Sequence, residues 1–460
     1  MKVLANPMLY CLKLENVLSF VSYIIVGNCR ESRYKEILGE KWDRVKMGKK
    51  IKVLWFSINS VQYDSQGDKP ISSGGWIESL LRVVSKHDEL ELGIAFLTSD
   101  KNAEERKIDE VTYIPMFVGF SQIEQMRNMY TYASYDKKTI EKYLKVVDKF
   151  NPDIIHAFGS EWNFGLLKSL VKIPLIIHMQ GFWPEYLNSA FPPGWSRREH
   201  CWERWYKPTS VIHRMMLEHK SKERALREEK VLSINECYFG RTRWDKALVR
   251  LYNPKAKYYY CSEALRNAFV LEKRRWEYDE NARIVNIVTT GAGHALKGFD
   301  LILKTAKLLK EHACFDYKWY MCGQTSKNMR YFEKKTNIKS NDVNVFPLGL
   351  CTAEKIKDIQ LQSTLYVHTA YIDNSPNAIC EAQYLGLPII STNVGGIPSL
   401  FEDSYPRDML VATNDPYFLS SKIIEIHDDR EKLVKMANSN FDIAHKRHDD
   451  DSIYASLISA

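Results

Sequence analysis

The sequence has little cysteine, and its cysteines are scattered. Nine are spread over 460 residues, with no C-x-x-C pair and no short repeated spacing. An odd number of isolated cysteines argues against a disulfide framework, and the lack of paired ligands argues against a zinc site. We therefore expect no metal site, and a protein suited to the reducing cytoplasm.

The sequence also lacks long runs of one charge. The formal net charge is +8, from 65 Lys and Arg against 57 Asp and Glu, and the two signs are interspersed. Proteins that bind nucleic acid usually concentrate basic residues in one patch or stripe. Nucleic acid is therefore not expected as a partner, whereas a modest positive charge suits anionic substrates and anionic lipid surfaces.

No apolar run in the N-terminal part is long enough to cross a bilayer. Residues 17–27 are apolar, but a spanning helix needs about 20 such residues. Glu15 before the run and Asn28 after it do not fit a secretory signal. We treat residues 1–49 as an extension of uncertain role, either a peripheral membrane contact or a small packed or partly disordered extension.

Length and composition allow two hydrophobic cores. The chain is 45% hydrophobic, and single cores rarely grow beyond about 250–300 residues. Apolar runs such as 51–58 and 284–289 alternate with segments of helical periodicity, which is typical of parallel βαβ units. We predict an α/β protein with two Rossmann-like parallel-sheet domains, at residues 50–270 and 271–440.

The most informative segment is residues 371–398, YIDNSPNAICEAQYLGLPIISTNVGGIP. Ser375 is predicted to N-cap a helix that has Pro376 at its first position. Gly386 is predicted to end this helix in a left-handed turn, before a short strand and a glycine pair. The free amides at a helix start favour an anion, so the segment predicts a phosphate site. Glu381, inside the helix, is placed to meet a sugar attached to that phosphate.

This segment resembles the signature of the retaining glycosyltransferases of GT-B family 4, which has two glutamates separated by seven residues and then a glycine-proline turn and a glycine pair. Asp373 and Glu381 stand at the two acidic positions, so the first acid is one methylene shorter. The resemblance implies that Glu381 binds the donor ribose and that Asp373 contacts the transferred sugar. It also implies that the diphosphate lies against the backbone of Ser375, Pro376 and Asn377.

The resemblance implies a GT-B fold, with two domains facing each other across a cleft and a last helix, here 441–460, that crosses back to the first domain. It implies a nucleotide-diphosphate sugar as donor and a glycan or lipid-linked acceptor, with retention at the anomeric carbon. No cofactor and no metal are then required. The setting would be bacterial surface-polysaccharide biosynthesis, in the cytoplasm or at the inner face of the membrane.

Two loops are predicted to line the donor cleft. Gly74 and Gly75 lie between the first strand and a helix, where family members carry a glycine pair. Lys297 opens a helix of the second domain, where its charge would stabilise the departing diphosphate as a catalytic group. Family members pair this lysine with an arginine, but Gly291 stands at that position. His294 is the candidate replacement.

Three further residues are candidate contacts. Gln180 follows a predicted strand, at a position where the family has a histidine, and we assign it a hydrogen-bonding role because an amide cannot shuttle a proton. His178 is interpreted as a core histidine, with a role in the reaction as the alternative. Arg241 lies in a segment similar to one in some bacterial members, and either contacts donor or acceptor or pairs with Asp245.

Two charged segments are ambiguous. Residues 195–230 predict one or two amphipathic helices, either solvated on the charged face or in contact with a membrane or an anionic lipid-linked acceptor. His445 and His448 are one turn apart and are interpreted as a solvated helix end in preference to a metal site. Residues 449–451 are three aspartates within a helical tail, which is a poor position for a metal site.

Two other functions stay open. A nucleotide-sugar epimerase or phosphorylase of the same fold would bind a similar donor. A catalytically inactive nucleotide-sugar-binding subunit would fit the departures from the family pattern at Gln180, Gly291 and Asp373.

Overall fold

The computed structural model describes residues 50–63, 75–198, 207–292, 295–401 and 405–459. The predictions for the extension 1–49, for Gly74 and for His294 lie outside the described residues.

The first domain is built on an eight-stranded sheet in the order β3-β4-β2-β1-β5-β6-β7-β8, parallel except for β3, which pairs antiparallel with β4. Its strands are β1 Ile51–Ser57, β2 Leu90–Thr98, β3 Arg106–Ile108, β4 Val111–Phe117, β5 Ile154–Phe158, β6 Leu175–His178, β7 Cys237–Gly240 and β8 Lys257–Tyr260. Its helices are α1 Gly75–Val84, α2 Gln122–Asn128, α3 Ala133–Phe150, α4 Trp183–Asn188, α5 Pro208–Ile234 and α6 Arg243–Tyr252.

The second domain has a six-stranded parallel sheet in the order β11-β10-β9-β12-β13-β14. A short helix, α7 Asn267–Val270, lies in the segment that leads to it. Its strands are β9 Ile284–Thr290, β10 Asp316–Cys322, β11 Val345–Gly349, β12 Leu365–His368, β13 Ile389–Thr392 and β14 Leu410–Val411. Its helices are α8 Phe299–His312, α9 Ser326–Thr336, α10 Ala353–Leu361, α11 Asn377–Tyr384, α12 Pro416–Asp428 and α13 Arg430–Arg447.

Strand β1 shows why a continuous apolar run forms a central parallel strand. Successive side chains of a strand point to opposite faces of the sheet. Leu54 and Phe56 therefore pack into the core on one face, while Val53 and Trp55 pack into the core on the other. Helices cover both faces, so β1 has no solvated side and needs no alternating polar residues.

The chain returns to the first domain through a last helix, α14 Asp450–Ile458. Asp450 accepts hydrogen bonds from Arg82 of α1 at 2.5 and 3.0 Å and from Lys86 at 2.7 Å. Tyr454 donates to Glu89 at 2.9 Å. Helix α13 stays on the second domain, where it packs against α11. The returning helix expected from the resemblance is therefore present.

The interpretation of His448 as a solvated helix end is wrong. Its side chain is 1% exposed, and its Nδ1 lies 2.8 Å from the carbonyl oxygen of Glu263, at the point where the chain crosses between domains. Asp449 caps α14 by accepting from the amide of Ser452 at 2.9 Å. His445 stacks on neighbouring aromatic rings. Within the described ranges no group of three or more His, Cys, Asp or Glu is arranged to hold a metal.

Within segment 195–230, residues 208–230 belong to the long helix α5. Its first half exposes three large apolar side chains, with Ile212 57%, Met215 52% and Leu217 47% accessible. Its second half carries basic residues and packs against the rest of the first domain. Part of the exposed surface of the helix is therefore apolar. A charged face that is only solvated would not expose these side chains.

Candidate active site

A cavity of about 1190 Å³ lies between the two domains, at the carboxyl ends of β9, β10 and β12. Ligands of open α/β sheets bind outside the carboxyl ends of the strands. Residues that line this cavity include Gly75, Arg82 and Lys86 of the first domain, Arg266 of the connecting segment, and Gly291, Lys297, His368, Pro376, Asn377, Ala378 and Glu381 of the second domain.

Helix α11 opens onto this cavity, one residue later than the sequence predicts. Pro376 is the N-cap and Asn377 is the first helical residue, without a side-chain cap among the described residues. Ser375 precedes the cap, and its hydroxyl donates to Glu263 at 2.6 Å. The opening amides of a helix have no partner within the helix, and they carry partial positive charge. Those of Asn377 and Ala378 are at the cavity wall.

The C-terminal end of α11 follows the prediction. Gly386 has φ +78°, and its N–H donates to the carbonyl of Gln383 at 2.9 Å. The N–H of Leu387 donates to the carbonyl of Ala382 at 3.0 Å, which completes a Schellman turn. The left-handed turn lets the chain reverse at once into β13.

The glycine pair that follows β13 holds the loop containing Asp373. Gly395 has φ +51°, and a Cβ there would lie 2.0 Å from the carbonyl oxygen of Asp373. The N–H of Gly396 donates to that same carbonyl at 3.1 Å, and a Cβ on Gly396 would lie 2.4 Å from the carbonyl of Asn374. Only glycines allow so close an approach, so the pair acts by positioning the acidic loop.

Lys297 and Asp373 form an ion pair across the cavity end. The Nζ of Lys297 donates to Oδ2 of Asp373 at 2.5 Å. Burial alone would raise the pKa of Asp373, but the charge of Lys297 and a hydrogen bond from His368 hold that pKa well below its usual range. Lys297 is 33% exposed, and an ammonium group has three donors. Its amine therefore has donors left for an anion.

Lys297 owes its position to the residue that follows it. Gly298 has φ +71°, and a Cβ there would lie 1.9 Å from the carbonyl of Thr369. The carbonyl of Lys297 accepts from the Thr369 hydroxyl at 2.9 Å. These contacts press the loop after β9 against the end of β12, which brings the lysine to Asp373.

His368 was not predicted as a site residue. Its Nε2 lies 3.2 Å from Oδ2 of Asp373, and its Nδ1 has no hydrogen-bond partner in the part of the chain that the structure describes. Burial lowers the pKa of His368, an effect that Asp373 opposes. The sequence feature that could have identified His368 is its position at the carboxyl end of a buried parallel strand, where functional side chains are often found.

Arg266 is the second residue that the sequence did not reveal. It holds Glu381 through two hydrogen bonds, from Nε to Oε1 at 2.6 Å and from Nη2 to Oε2 at 2.7 Å. Burial raises the pKa of Glu381, and the Arg266 guanidinium opposes that rise. The Cδ of Arg266 would also lie 3.6 Å from a Cβ on Gly75, so this arginine sits between the first domain and α11.

Glu263 is a third unpredicted residue, and it joins the domains. It is 1% exposed and accepts hydrogen bonds from Ser375 at 2.6 Å and from the thiol of Cys380 at 2.9 Å. Arg241 of the first domain lies 3.8 Å from its other oxygen. Burial alone would raise the pKa of Glu263, but the charges of Arg241 and His448 lower it to about 2. The loop before α11 is thereby fixed to the first domain.

His178 and Gln180, two of the candidate contacts in the first domain, lie in different surroundings. His178 is fully buried beside His156, at 3.2 Å, and in edge contact with Trp76, as a core histidine would be. The carbonyl of Gln180 accepts from Arg241 at 3.3 Å and from the amide of Asn374 at 3.0 Å. Gln180 thus contacts the acidic loop through its backbone.

Arg241 does not pair with Asp245 across a helical turn, because it precedes α6. Asp245 instead accepts from the backbone N–H of Arg241 at 2.9 Å and forms a capping box with Thr242. Its other oxygen accepts from Asn374 at 2.8 Å. Arg241 and Asp245 are therefore both buried in the contact between the domains.

The position of the missing arginine, Gly291, is at the cavity wall. Gly75 begins α1 and also lines the cavity. Among the described residues, the Lys and Arg side chains that line the cavity are Arg82, Lys86, Arg266 and Lys297. Of these four side chains, Lys297 and Arg266 lie at the end of the cavity that α11 forms.

A family model described as glycosyl transferases group 1 matches residues 272–441. D-inositol 3-phosphate glycosyltransferase of Corynebacterium kroppenstedtii is 22% identical over 178 residues, which is 38% of this chain and 39% of that protein. The GPI3 subunit of phosphatidylinositol N-acetylglucosaminyltransferase of Saccharomyces cerevisiae is 26% identical over 162 residues, 33% of this chain and 35% of that one. The matches span less than half the length of these curated relatives.

Solved structures with the same architecture cover nearly the whole chain. Sucrose-phosphate synthase of Thermosynechococcus elongatus gives a TM-score of 0.65 at 13% identity, covering 89% of this chain and 97% of that one. HepE of Anabaena, in complex with UDP and glucose, gives 0.56 at 13% identity, covering 89% and 98%. The predicted GT-B fold is confirmed. The family match lies within the second domain, and the solved structures share the fold of the whole described chain.

Proposed function

We propose that this chain is a retaining glycosyltransferase of family 4, which moves a sugar from a nucleotide-diphosphate donor to a hydroxyl of a glycan or lipid-linked acceptor. One observation carries the proposal: the Lys297–Asp373 ion pair and the open start of α11 meet at one end of a cavity that Glu381 also lines. A cation, helix amides and a buried carboxylate in one cleft suit a diphosphate attached to a ribose.

We place the donor along α11, with its diphosphate at the start of the helix and its ribose further along. Its diphosphate would lie against the amides of Asn377 and Ala378 and the amine of Lys297. Glu381 lies one helical turn further on, about 6 Å along the axis, within reach of the ribose. Arg266 occupies one acceptor position on each oxygen of Glu381, and each carboxylate oxygen can accept a second hydrogen bond. The ribose hydroxyls can therefore bind while Arg266 stays in place.

In the proposed reaction the bond between the anomeric carbon and the diphosphate oxygen breaks. The acceptor oxygen forms its bond on the same face of the sugar, and its proton passes to the leaving phosphate oxygen. The protein then supplies no nucleophile, and no metal or cofactor is required. Lys297 and the α11 amides stabilise the charge that develops on the diphosphate, which is the kind of contribution that is largest in many enzymes. Asp373 orients the Lys297 amine and lies nearest the transferred sugar.

The proposal includes a location at the inner face of a bacterial membrane, in surface-polysaccharide biosynthesis. None of the helices in the described ranges is both long and apolar enough to cross a bilayer. The exposed Ile212, Met215 and Leu217 of α5 support a peripheral contact, because apolar side chains beside basic residues suit a membrane surface.

An epimerase is the second candidate function. A UDP-N-acetylglucosamine 2-epimerase from Listeria monocytogenes, described as putative, shares the fold with a TM-score of 0.51 at 13% identity, covering 86% of this chain and 94% of that one. The shortened acid at Asp373 and the absence of an arginine at Gly291 are the departures that keep this function open. An inactive nucleotide-sugar-binding subunit is the third candidate.

The test is a screen of purified protein against nucleotide sugars, first for thermal stabilisation and then for turnover. A ligand that binds only the native state raises its stability in proportion to RT ln(1 + [L]/Kd). We expect one nucleotide sugar to stabilise the protein and to be slowly hydrolysed, and to be transferred with retention when an acceptor is present. Epimerised donor without transfer would establish the second function, and binding without hydrolysis or transfer would establish the third.

A further inference from the structure

Tyr186 of α4 carries a hydroxyl that the fold does not use. The side chain is partly exposed, and none of the residues that the structure describes forms a hydrogen bond with its oxygen. Two fully buried tyrosines of the same domain are bonded. The hydroxyl of Tyr143 donates to Asn163 at 2.9 Å, and that of Tyr238 donates to the carbonyl of Leu232 at 2.8 Å. Polar groups inside a fold usually have such partners, so the Tyr186 hydroxyl is open to a ligand.

The ring of Tyr186 lies over Gly181, just beyond β6. A Cβ on Gly181 would lie 2.7 Å from both the hydroxyl oxygen and the Cε2 of the tyrosine, so a larger residue there would displace the ring. Gly181 follows Gln180, whose carbonyl accepts from the side chain of Asn374 at 3.0 Å. Strand β6 lies between β5 and β7. The hydroxyl is therefore at the carboxyl end of a central strand, where ligands of such sheets bind.

The same ring packs against the second domain, next to the residues proposed to carry the reaction. Tyr186 joins a small apolar cluster that includes Leu296 and Ile372. Leu296 directly precedes Lys297, and Ile372 directly precedes Asp373. The tyrosine therefore joins the two domains beside the ion pair that Lys297 and Asp373 form.

The surroundings of the hydroxyl keep it protonated. Burial raises the pKa of Tyr186 well above its usual value, the acidic groups of Asp373, Glu161 and Glu228 add to the rise, and the charge of Arg241 opposes it. A neutral phenol can donate one hydrogen bond and can also accept. At neutral pH the hydroxyl of Tyr186 is therefore a hydrogen-bond donor close to the loop that contains Asp373.

Asp373 has little hydrogen-bonding capacity left for a sugar. Its Oδ2 accepts from Lys297 at 2.5 Å and lies 3.2 Å from Nε2 of His368, and its Oδ1 accepts from the N–H of Asn374 at 3.1 Å. A carboxylate oxygen has about two acceptor positions, and an ionised carboxylate donates no hydrogen bond. One sugar hydroxyl can therefore donate to Oδ1. A hydrogen bond donated to the sugar has to come from another residue.

We propose that the hydroxyl of Tyr186 binds a hydroxyl of the transferred sugar, so that the first domain holds the sugar through this tyrosine while the second domain holds it through Asp373. This inference rests on the proposed function, since it adds a specificity-determining residue to the same reaction. A site built to hydrogen-bond a substrate hydroxyl discriminates against a substrate that lacks it. Tyr186 therefore selects the donor by its sugar, whereas the nucleotide is bound by the second domain alone.

The test is hydrolysis of the donor by the full chain without an acceptor, which isolates the contact with the sugar. The probes are UDP-glucose, UDP-N-acetylglucosamine and GDP-mannose, with UDP and GDP as the forms that lack the sugar. For the donor that the wild type hydrolyses, we expect Tyr186→Phe to lower kcat/KM at least tenfold. The Kd of the matching nucleoside diphosphate, measured by calorimetry, should be unchanged. The midpoint of urea unfolding should also be unchanged, because the hydroxyl has no partner to lose among the described residues.

Tyr238→Phe is the matched control. It removes a hydroxyl that is bonded within the same domain, so it should lower the unfolding midpoint and leave kcat/KM unchanged. Donors that each lack one sugar hydroxyl identify the partner of Tyr186. With one of these deoxy donors, wild type and Tyr186→Phe should have equal kcat/KM, because the group that the tyrosine binds is already absent.

Three results would overturn the inference: equal kcat/KM in wild type and Tyr186→Phe, a tenfold weaker Kd of the variant for the nucleoside diphosphate, or a loss of the same size with every deoxy donor. Normal hydrolysis with a loss confined to transfer would overturn it as well, because the tyrosine would then contact the acceptor. Neither hydrolysis nor transfer of any nucleotide sugar by the wild type would refute the proposed function, and this inference with it. Wild-type turnover with an unaffected variant would refute the inference alone.

Discussion

Arg266 and Glu381, which are 115 positions apart in the chain, form a doubly hydrogen-bonded ion pair at 2.6 and 2.7 Å. The arginine belongs to the segment that connects the domains, and the glutamate belongs to the helix proposed to bind the donor. The orientation of the ribose-binding acid therefore depends on a residue outside the second sheet.

Removing Arg266 should destabilise the protein. Arg266→Gln leaves Glu381, 2% exposed, without its counter-charge, and breaking a buried pair commonly costs about 3–5 kcal/mol. Because the arginine is itself 30% exposed, we expect about 2 kcal/mol by denaturant unfolding. The double variant with Glu381→Gln should recover part of this loss. Arg274→Gln removes a 59% exposed arginine of the same segment, whose partner Glu272 keeps its pair with Lys357, and should change stability by under about 1 kcal/mol. If Arg266→Gln and Arg274→Gln lowered the free energy of unfolding equally, the stabilising role of the Arg266–Glu381 pair would be contradicted.

Lys297→Ala should lower transfer strongly, and it should also destabilise the fold because the buried Asp373 loses its counter-charge. The loss of one preorganised contact to developing charge commonly costs about 2.7–4 kcal/mol, or about 100- to 1000-fold in turnover. Lys307→Ala, on the exposed face of α8, is the matched control and should retain normal turnover. Steady-state rates at saturating donor make the comparison. Near-normal transfer by Lys297→Ala would reject the assigned role.

Two substitutions of His368 should separate the roles of its ring nitrogens. Glutamine places an amide near the position of Nε2 and can still donate to Asp373, whereas asparagine places its amide near Nδ1 and cannot reach as far. If His368 positions Asp373, His368→Gln should keep turnover within about tenfold and His368→Asn should lose more. The pH profile of kcat should shift only in the asparagine variant. The opposite order would show that Nδ1 is the functional atom.

Glu228 should make stability depend on pH. The unfolded chain releases this proton near the ordinary pKa of 4.5, but the folded protein holds it up to about 8. Between these values the unfolded state binds fewer protons, so the free energy of unfolding falls as pH rises. Glu228→Gln removes the titration; its oxygen can still accept from the Trp183 N–H, and its NH2 group can donate to the Ser160 hydroxyl, which donates to Glu228 in the wild type. Its advantage over wild type should grow from pH 5 to pH 8, by about 2 kcal/mol or more.

Chemical denaturation across this pH range measures the effect. Glu223→Gln, elsewhere on α5, is the control, and its curve should run parallel to that of the wild type. A constant difference between Glu228→Gln and wild type from pH 5 to pH 8 would show that Glu228 is not the titrating group.

Gly395→Ala and Gly349→Ala should differ in cost, although both glycines have positive φ. At Gly349 the space around a Cβ is open, so only the backbone penalty of about 1–2 kcal/mol applies. At Gly395 the Cβ would meet the carbonyl of Asp373 at 2.0 Å, so the acidic loop must move. We expect Gly395→Ala to cost more than about 3 kcal/mol in unfolding experiments and to lower turnover as well. If the two substitutions lowered the free energy of unfolding equally, the loop that contains Asp373 would be able to move aside at little cost.

Local patterns in the sequence predict the elements of the fold well. The strand at 389–392, the left-handed turn at Gly386 and the position of Lys297 before a helix are all as predicted, because each depends on residues close in the chain. The two-domain architecture follows from the alternation of such elements. The edge strand β3 and the two strands next to it, β4 and β2, were not identified from the sequence.

The contacts of the site are less accessible to sequence reasoning because they join distant residues. Arg266, Glu263 and His368 act through partners whose proximity is known only after folding. The prediction of Ser375 as N-cap is wrong: the helix begins one residue later, and the Ser375 hydroxyl donates to the carboxylate of Glu263, 112 positions away in the chain. His448 likewise looked solvated because the burying surface belongs to another domain.

Helix α14 has a consequence for biosynthesis. Its Asp450 pairs with Arg82 of α1 and with Lys86, two residues beyond the end of α1, yet the ribosome makes it only after every strand of the second sheet. The first domain is therefore synthesised with these basic side chains unpaired, and their partner is made only when the second sheet is complete. We expect the two lobes to reach their final form together during translation, and not one after the other.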